Sequence, residues 1–175
     1  MRVIVAGLGV QGYKRRVSAG SEYIASVDPV NLEAEFRYIQ DVPLDSYDAV
    51  LACIPDEPKA DLLKYCLINK KHVMVEKPLW TQDNHQINEL EKLAKENKLV
   101  CYTAYNHRFE PHFKGMHDLI ESGVLGTIYS CRMFYGNGTA RLVRNSVWRD
   151  NDAGVLPDLG SHLLDTCRYW FGNNF

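Results

Sequence analysis

The sequence predicts an α/β fold, a doubly wound parallel sheet followed by the start of an α+β domain with an antiparallel sheet. Three observations carry that prediction. Short apolar runs alternate with helical patterns through the first hundred residues, a glycine-rich turn follows the first run directly, and after residue 105 the pattern becomes a two-residue alternation. Strand alternating with helix implies parallel pairing through right-handed crossovers, which covers both faces of a sheet.

Taken in order, Arg2–Ala6, Tyr23–Val27, Ala49–Ile54, His72–Val75 and Val100–Ala104 read as buried strands. Between them, Ala60, Leu63 and Leu67 recur at helical spacing, as do Ile87, Leu90, Leu93 and Ala94 with Glu and Lys on the opposite face. Phe113, Met116, Leu119 and Ile120 predict a helix closed by Gly123. Thr127–Tyr135 then alternates: Ile128, Ser130, Arg132 and Phe134 on one face, Tyr129, Cys131, Met133 and Tyr135 on the other. That pattern predicts an antiparallel strand with two environments. The boundary between the two patterns falls near residues 105–110, with neither an internal repeat nor a flexible linker.

Composition narrows the class. The chain has 175 residues, 46% hydrophobic and 24% charged, enough for one sizeable core and inconsistent with a disordered or collagenous chain. Lys plus Arg total 20 against 22 Asp plus Glu, a formal net charge of -2, which gives no electrostatic case for nucleic acid or an anionic membrane as partner. Stretches long and apolar enough to span a bilayer are absent. Cys53, Cys66, Cys101, Cys131 and Cys167 are odd in number and scattered, which reads as reduced thiols in a cytoplasmic protein. The start Met1-Arg2-Val3-Ile4-Val5-Ala6 is broken by Gly7 and Gly9 before it reaches the length of a signal peptide. Tyr169-Trp170-Phe171-Gly172 is an aromatic helix end expected to pack on something further along, which suggests an abbreviated version of a longer protein, prone to association into homo-oligomers.

The turn Gly7-Leu8-Gly9-Val10-Gln11-Gly12 follows the first strand and opens a helix, and Asp28 stands 21 residues after Gly7 at the end of the second strand. In a Rossmann-type fold the first glycine permits the tight turn, the second lets backbone approach a pyrophosphate, and the third permits close helix–strand packing. The helix N-terminus offers unpaired N–H groups to the phosphates. Asp28 is placed to accept from the adenosine ribose hydroxyls, and its charge repels a 2′-phosphate, which favours NAD over NADP. Lys14, Arg15 and Arg16 on the same helix are the counter-indication, since one of them could reach a 2′-phosphate; their plainer reading is a solvated face. Ile54-Pro55, at a strand C-terminal end, is expected to line the nicotinamide side of the crevice.

Three further motifs carry a resemblance: Glu76-Lys77-Pro78, Tyr105-Asn106-His107-Arg108-Phe109, and Asp158-Leu159-Gly160-Ser161-His162-Leu163-Leu164-Asp165. In that order they resemble the Gfo/Idh/MocA oxidoreductases over residues 1–172. The resemblance implies a dinucleotide-binding Rossmann domain over 1–106 and a partial substrate and oligomerisation domain over 107–175. It implies an NAD(P)-dependent enzyme moving hydride between nicotinamide and a secondary hydroxyl or ketone of a sugar, nucleotide sugar or cyclitol. Departures are Asp56 and Lys59, where the family often has Asn and His, and Ala153-Gly154 in place of a longer glycine cluster. Members also continue well beyond this length into a large open sheet.

Oxidising such an alcohol sends hydride to the cofactor and a proton to a base. By resemblance, His162 is the acid/base, Lys77 the electrostatic and hydrogen-bonding partner of the reacting oxygen, and Asp158 a group that binds a hydroxyl or orients the others. The rival readings are structural: a solvated loop lysine at 77, and a first-turn histidine at 162 satisfied by backbone. Glu76 either contacts the cofactor or pairs with a cation. Asn106, Arg108 and Arg149 are candidate substrate contacts, with a surface salt bridge the rival for Arg149, while Asp165 reads as structural. The Lys77–Pro78 bond is a candidate for the cis form. His107, His112 and His117, spaced by five, do not stack on one helical face, and no metal is expected. Two alternatives stay open, a non-catalytic dinucleotide-binding regulatory protein and an inactive fragment of such an enzyme.

Overall fold

Five short runs of the chain pair side by side because each carries apolar residues toward both faces of a sheet. In the computed structural model, which describes residues 1–79, 81, 83–136 and 156–173, these are β1 (Val3–Ala6), β2 (Tyr23–Val27), β3 (Ala49–Ala52), β4 (His72–Glu76) and β5 (Cys101–Ala104). All pairings are parallel, in the order β2-β1-β3-β4-β5. The chain leaves β1 toward β2, then returns to the other side of β1 to form β3. The crevice beyond the C-terminal ends of β1 and β3 is therefore the switch point where open α/β sheets bind ligands.

Helices α1 (Val10–Ala19), α2 (Lys59–Ile68) and α3 (Asn84–Asn97) supply the crossovers. Ile4, Ala6, Val50, Ala52, Val73 and Val75 form one face and pack with Leu63, Leu67 and Leu90 of α2 and α3. Val5 packs on the other face with Leu8 and Ala34, and half-buried Leu51 and Cys53 adjoin them. This is the i, i+2 division that a pleated strand imposes. Asp83 caps α3 by accepting the Gln86 N–H. Residues 28–48 hold no crossover helix of ordinary length. Their backbone is paired in short 3₁₀ turns and in an isolated parallel bridge from Val27 to Phe36, and the Glu35 carboxylate ties the segment to β2 by accepting the Ser26 N–H.

The chain divides into two compact units, Met1–Ala104 and Tyr105–Phe175. The second holds α4 (Pro111–Glu121) and α5 (Ser161–Phe171), the latter entered through a π-helical turn over Leu156–Gly160. Gly123 follows α4 with φ +71°. One expectation needs correction. Residues 127–135 form no strand, because a strand needs a partner for its backbone groups and none among the described residues lies beside it. Phe134 is 93% exposed, and only Met133 and Tyr135 are half-buried. The aromatic end of α5 has partners within the unit while staying half-buried: the Trp170 indole N–H donates to the Phe113 carbonyl at 3.0 Å, and the two rings lie 5.6 Å apart. Tyr169 stacks on His117 at 4.5 Å.

Candidate active site

In the first unit the glycine turn is shaped by contact. Gly7 has φ +89°, and a Cβ there would lie 2.5 Å from the Cys53 carbonyl oxygen; at Gly12 a Cβ would lie 1.9 Å from the Gly7 oxygen. A side chain at either position would prise β1, the turn and α1 apart. A Cβ at Gly9 would meet nothing within 4 Å, so the turn is open there. Gly9 is the N-cap of α1, no side chain caps that helix, and its first turn carries no acid. The amides of Val10, Gln11 and Gly12 thus open a helix end suited to a phosphate. These features fit the pyrophosphate of a dinucleotide.

Asp28 ties the turn to the end of β2. The Leu8 N–H donates to its Oδ2 at 2.7 Å, and the Val30 and Asn31 N–H groups both donate to Oδ1 at 2.8 Å. Burial disfavours the charged carboxylate, but the backbone donors of Asn31, Leu8 and Val30, with Arg37 nearby, outweigh it and hold the group below its ordinary pKa. A carboxylate has about four acceptor positions, so about one is left for a ribose hydroxyl.

Two strands along from β1, the C-terminal end of β4 carries Glu76, Lys77 and Pro78, with a cis peptide bond between Lys77 and Pro78. Glu76 accepts from Arg15 of α1 at 2.6 Å, and this pair is largely shielded from solvent. Lys77 is half-buried, as is Ile54 at the end of β3, whereas Pro55 beside it is exposed. Arg16 lies over the Tyr23 ring at 5.1 Å.

In the second unit, His162 sits in the first turn of α5 and is 6% exposed. Its imidazole stacks on that of His107 at 4.5 Å, with Tyr105 and Tyr135 edge-on at 5.7 and 5.8 Å. Asp158 lies within the π-helical turn, four residues earlier, and its carbonyl accepts from the Ser161 hydroxyl. Such turns recur at functional sites. Arg108 makes a bidentate pair with Asp165 at 2.6–3.0 Å, fastening the segment before α4 to α5, and Asn106 donates to Glu110 at 3.4 Å.

Comparison with known proteins decides the kinship. Residues 13–105 match the model of the oxidoreductase family with an NAD-binding Rossmann fold, and residues 113–175 match the Gfo/Idh/MocA C-terminal domain. The chain belongs to the Gfo/Idh/MocA oxidoreductase family. Curated relatives include myo-inositol 2-dehydrogenase of Thermotoga maritima, 28% identical over 71% of this chain and 36% of the relative, and scyllo-inositol 2-dehydrogenase (NAD(+)) of Bacillus subtilis, 24% identical over 98% and 54%. The crystal structure of myo-inositol 2-dehydrogenase from Lactobacillus plantarum superposes with a TM-score of 0.76 at 17% identity, over 97% of this chain and 56% of that one. The chain spans about a third of the length of the curated relatives it first matches.

Among the Gfo/Idh/MocA signatures, the structure brings Gly7, Gly9, Gly12, Asp28, Ile54, Pro55, Glu76 and Lys77 to the C-terminal edge of one sheet. Arg149 and Ala153-Gly154 lie outside the described residues. Of the alternatives read for Glu76, the structure shows pairing with a cation. Reading the chain linearly missed the tertiary role of Lys59, noted above only as a departure. Its side chain is 2% exposed and its ammonium reaches three acceptors. The available signal was a cation on the first residue of a helix, against the macrodipole. No helix among the described residues is long and apolar enough to cross a membrane.

Proposed function

We propose that the protein is an NAD-dependent dehydrogenase that reversibly oxidises a secondary hydroxyl of a cyclitol or a sugar. One observation carries the reading: an open glycine turn at the switch point, tied to Asp28, shares its sheet edge with Lys77, two strands and roughly 10 Å away. That span suits the pyrophosphate-to-nicotinamide half of a dinucleotide. NAD, when bound, supplies the hydride acceptor. Asp28 holds the adenosine ribose and disfavours a 2′-phosphate, and the charge pairing of Arg15 with Glu76 draws one basic residue of α1 away from that task. The names of the inositol dehydrogenase relatives, one of them specifying NAD(+), support cyclitols as the first substrates to try.

The chemistry asked of the side chains is proton handling and charge stabilisation. His162 accepts the hydroxyl proton as hydride leaves the same carbon, a role worth roughly 10²–10⁴ in rate. The Lys77 ammonium stabilises negative charge developing on the oxygen. Asp158 binds a neighbouring hydroxyl or orients these groups, with Asn106, Arg108 and Arg149 as further substrate contacts. Calorimetric titration with NAD and NADP, followed by the 340 nm absorbance with myo- and scyllo-inositol in the longest natural form of the protein, tests the reading. Lys77→Ala and His162→Ala are each expected to lower turnover at least about 100-fold. Near-normal turnover in both variants removes the mechanism, and tighter binding of NADP than of NAD removes the role given to Asp28.

A further inference from the structure

Lys59 is the first residue of α2, where the partial positive charge of the helix end opposes a cation. It is nevertheless 2% exposed, and a buried ammonium persists only where good geometry replaces its water. Its Nζ donates to Asp56 Oδ1 at 2.6 Å, to the Glu76 carbonyl at 2.7 Å and to the Pro78 carbonyl at 2.7 Å. An ammonium has three N–H donors, and three acceptors surround this one.

The two carbonyls belong to the residues immediately before and after Lys77. One cation therefore grips the backbone on both sides of that residue, while Arg15 separately grips the Glu76 side chain. A residue that breaks a local rule, as Lys59 does at a helix start, marks a place where tertiary function outweighs local preference. We propose that Lys59, held by Asp56, is a positioning residue that sets the backbone from Glu76 to Pro78 and through it the placement of the Lys77 amine. Its catalytic meaning rests on the role proposed for Lys77; the clamp itself is a property of the first unit.

The experiment needs neither cofactor nor substrate, so its failure is distinct from failure of the dehydrogenase reading. The native chain is labelled briefly with acetic anhydride and read by mass spectrometry, alongside amide hydrogen exchange of the peptide covering residues 75–79. In the wild type, Lys59 is expected to label about 100-fold more slowly than Lys92, whose side chain is 73% exposed. Lys59→Met is expected to change the labelling rate of Lys77 at least about threefold and to speed exchange over 75–79 about tenfold, with β1 and β3 within about twofold. Lys59→Arg, which keeps charge and donors, is expected to move both readings less. Should Lys59→Met fail to fold, Asp56→Asn keeps Lys59 and loosens its anchor, and exchange over 75–79 is expected to rise about threefold. The proposal is overturned if Lys59 labels as fast as Lys92 in the wild type, or if a folded Lys59→Met leaves Lys77 labelling and exchange over 75–79 unchanged. An unchanged Asp56→Asn overturns the part given to Asp56.

Discussion

Replacing Asp28 by Ala removes the acceptor for three backbone N–H groups, and the three losses are unequal. Val30 is exposed and Asn31 lies beside it on an open turn, so water replaces the carboxylate there at little cost. Leu8 is 2% exposed, and its N–H has no such recourse. A hydrogen bond to a charged group contributes about 1.5–3 kcal/mol, so Asp28→Ala is expected to destabilise the first unit by about 2–3 kcal/mol. For a unit of this size that is on the order of 10 °C in Tm. Urea unfolding followed by circular dichroism at pH 7 measures it.

The sign of the pH dependence is set by the lowered pKa. The folded carboxylate titrates below its ordinary value of 3.8, so its contribution is complete above that value and is lost as pH falls through the lower folded one. The gap between wild type and Asp28→Ala should therefore be full at pH 7 and shrink toward zero in strong acid. NAD affinity should fall at least about tenfold in the same variant, roughly 1.4 kcal/mol for one lost ribose contact. Equal unfolding free energies at pH 7, or a gap undiminished in acid, would refute the reasoning.

Two further outcomes are expected. Gly12→Ala places a methyl group against the Gly7 carbonyl and should cost about 3 kcal/mol or more with loss of NAD binding, whereas Gly9→Ala enters open space. Gly9→Ala should therefore keep its Tm and still lose NAD affinity; wild-type affinity in a folded Gly9→Ala would show that no pyrophosphate passes there. Burial pushes the Cys53 and Cys66 thiols up to about 12, so iodoacetamide at pH 8 should modify exposed Cys131 at least about 100-fold faster than either, as read by peptide mass spectrometry.

The five strands and three crossover helices were legible because each rests on spacing within a dozen residues, and the observed strand ends differ from the expected ones by at most two positions. Tyr23–Val27 is reproduced residue for residue, while Ala49–Ile54 ends at Ala52, where Cys53 turns to pack against Gly7. The alternation over 127–135 misled because period two describes a strand only when another strand accepts its hydrogen bonds. Likewise the apolar end of α5 gave no hint that Phe113, 57 residues earlier, accepts from Trp170.

By itself, then, the order of residues determined the parallel sheet, the glycine turn and the acid after β2, since each is local chemistry repeated at a fixed interval. Tertiary structure decided the partnerships: Arg15 with Glu76, Lys59 with the carbonyls flanking Lys77, Arg108 with Asp165, and His162 against His107. Three of these four join residues more than 50 positions apart: Arg15 with Glu76, Arg108 with Asp165, and His162 with His107. A side chain's charge is written in the sequence, but its partner is chosen by which strand ends and helix starts the sheet order brings within hydrogen-bond reach.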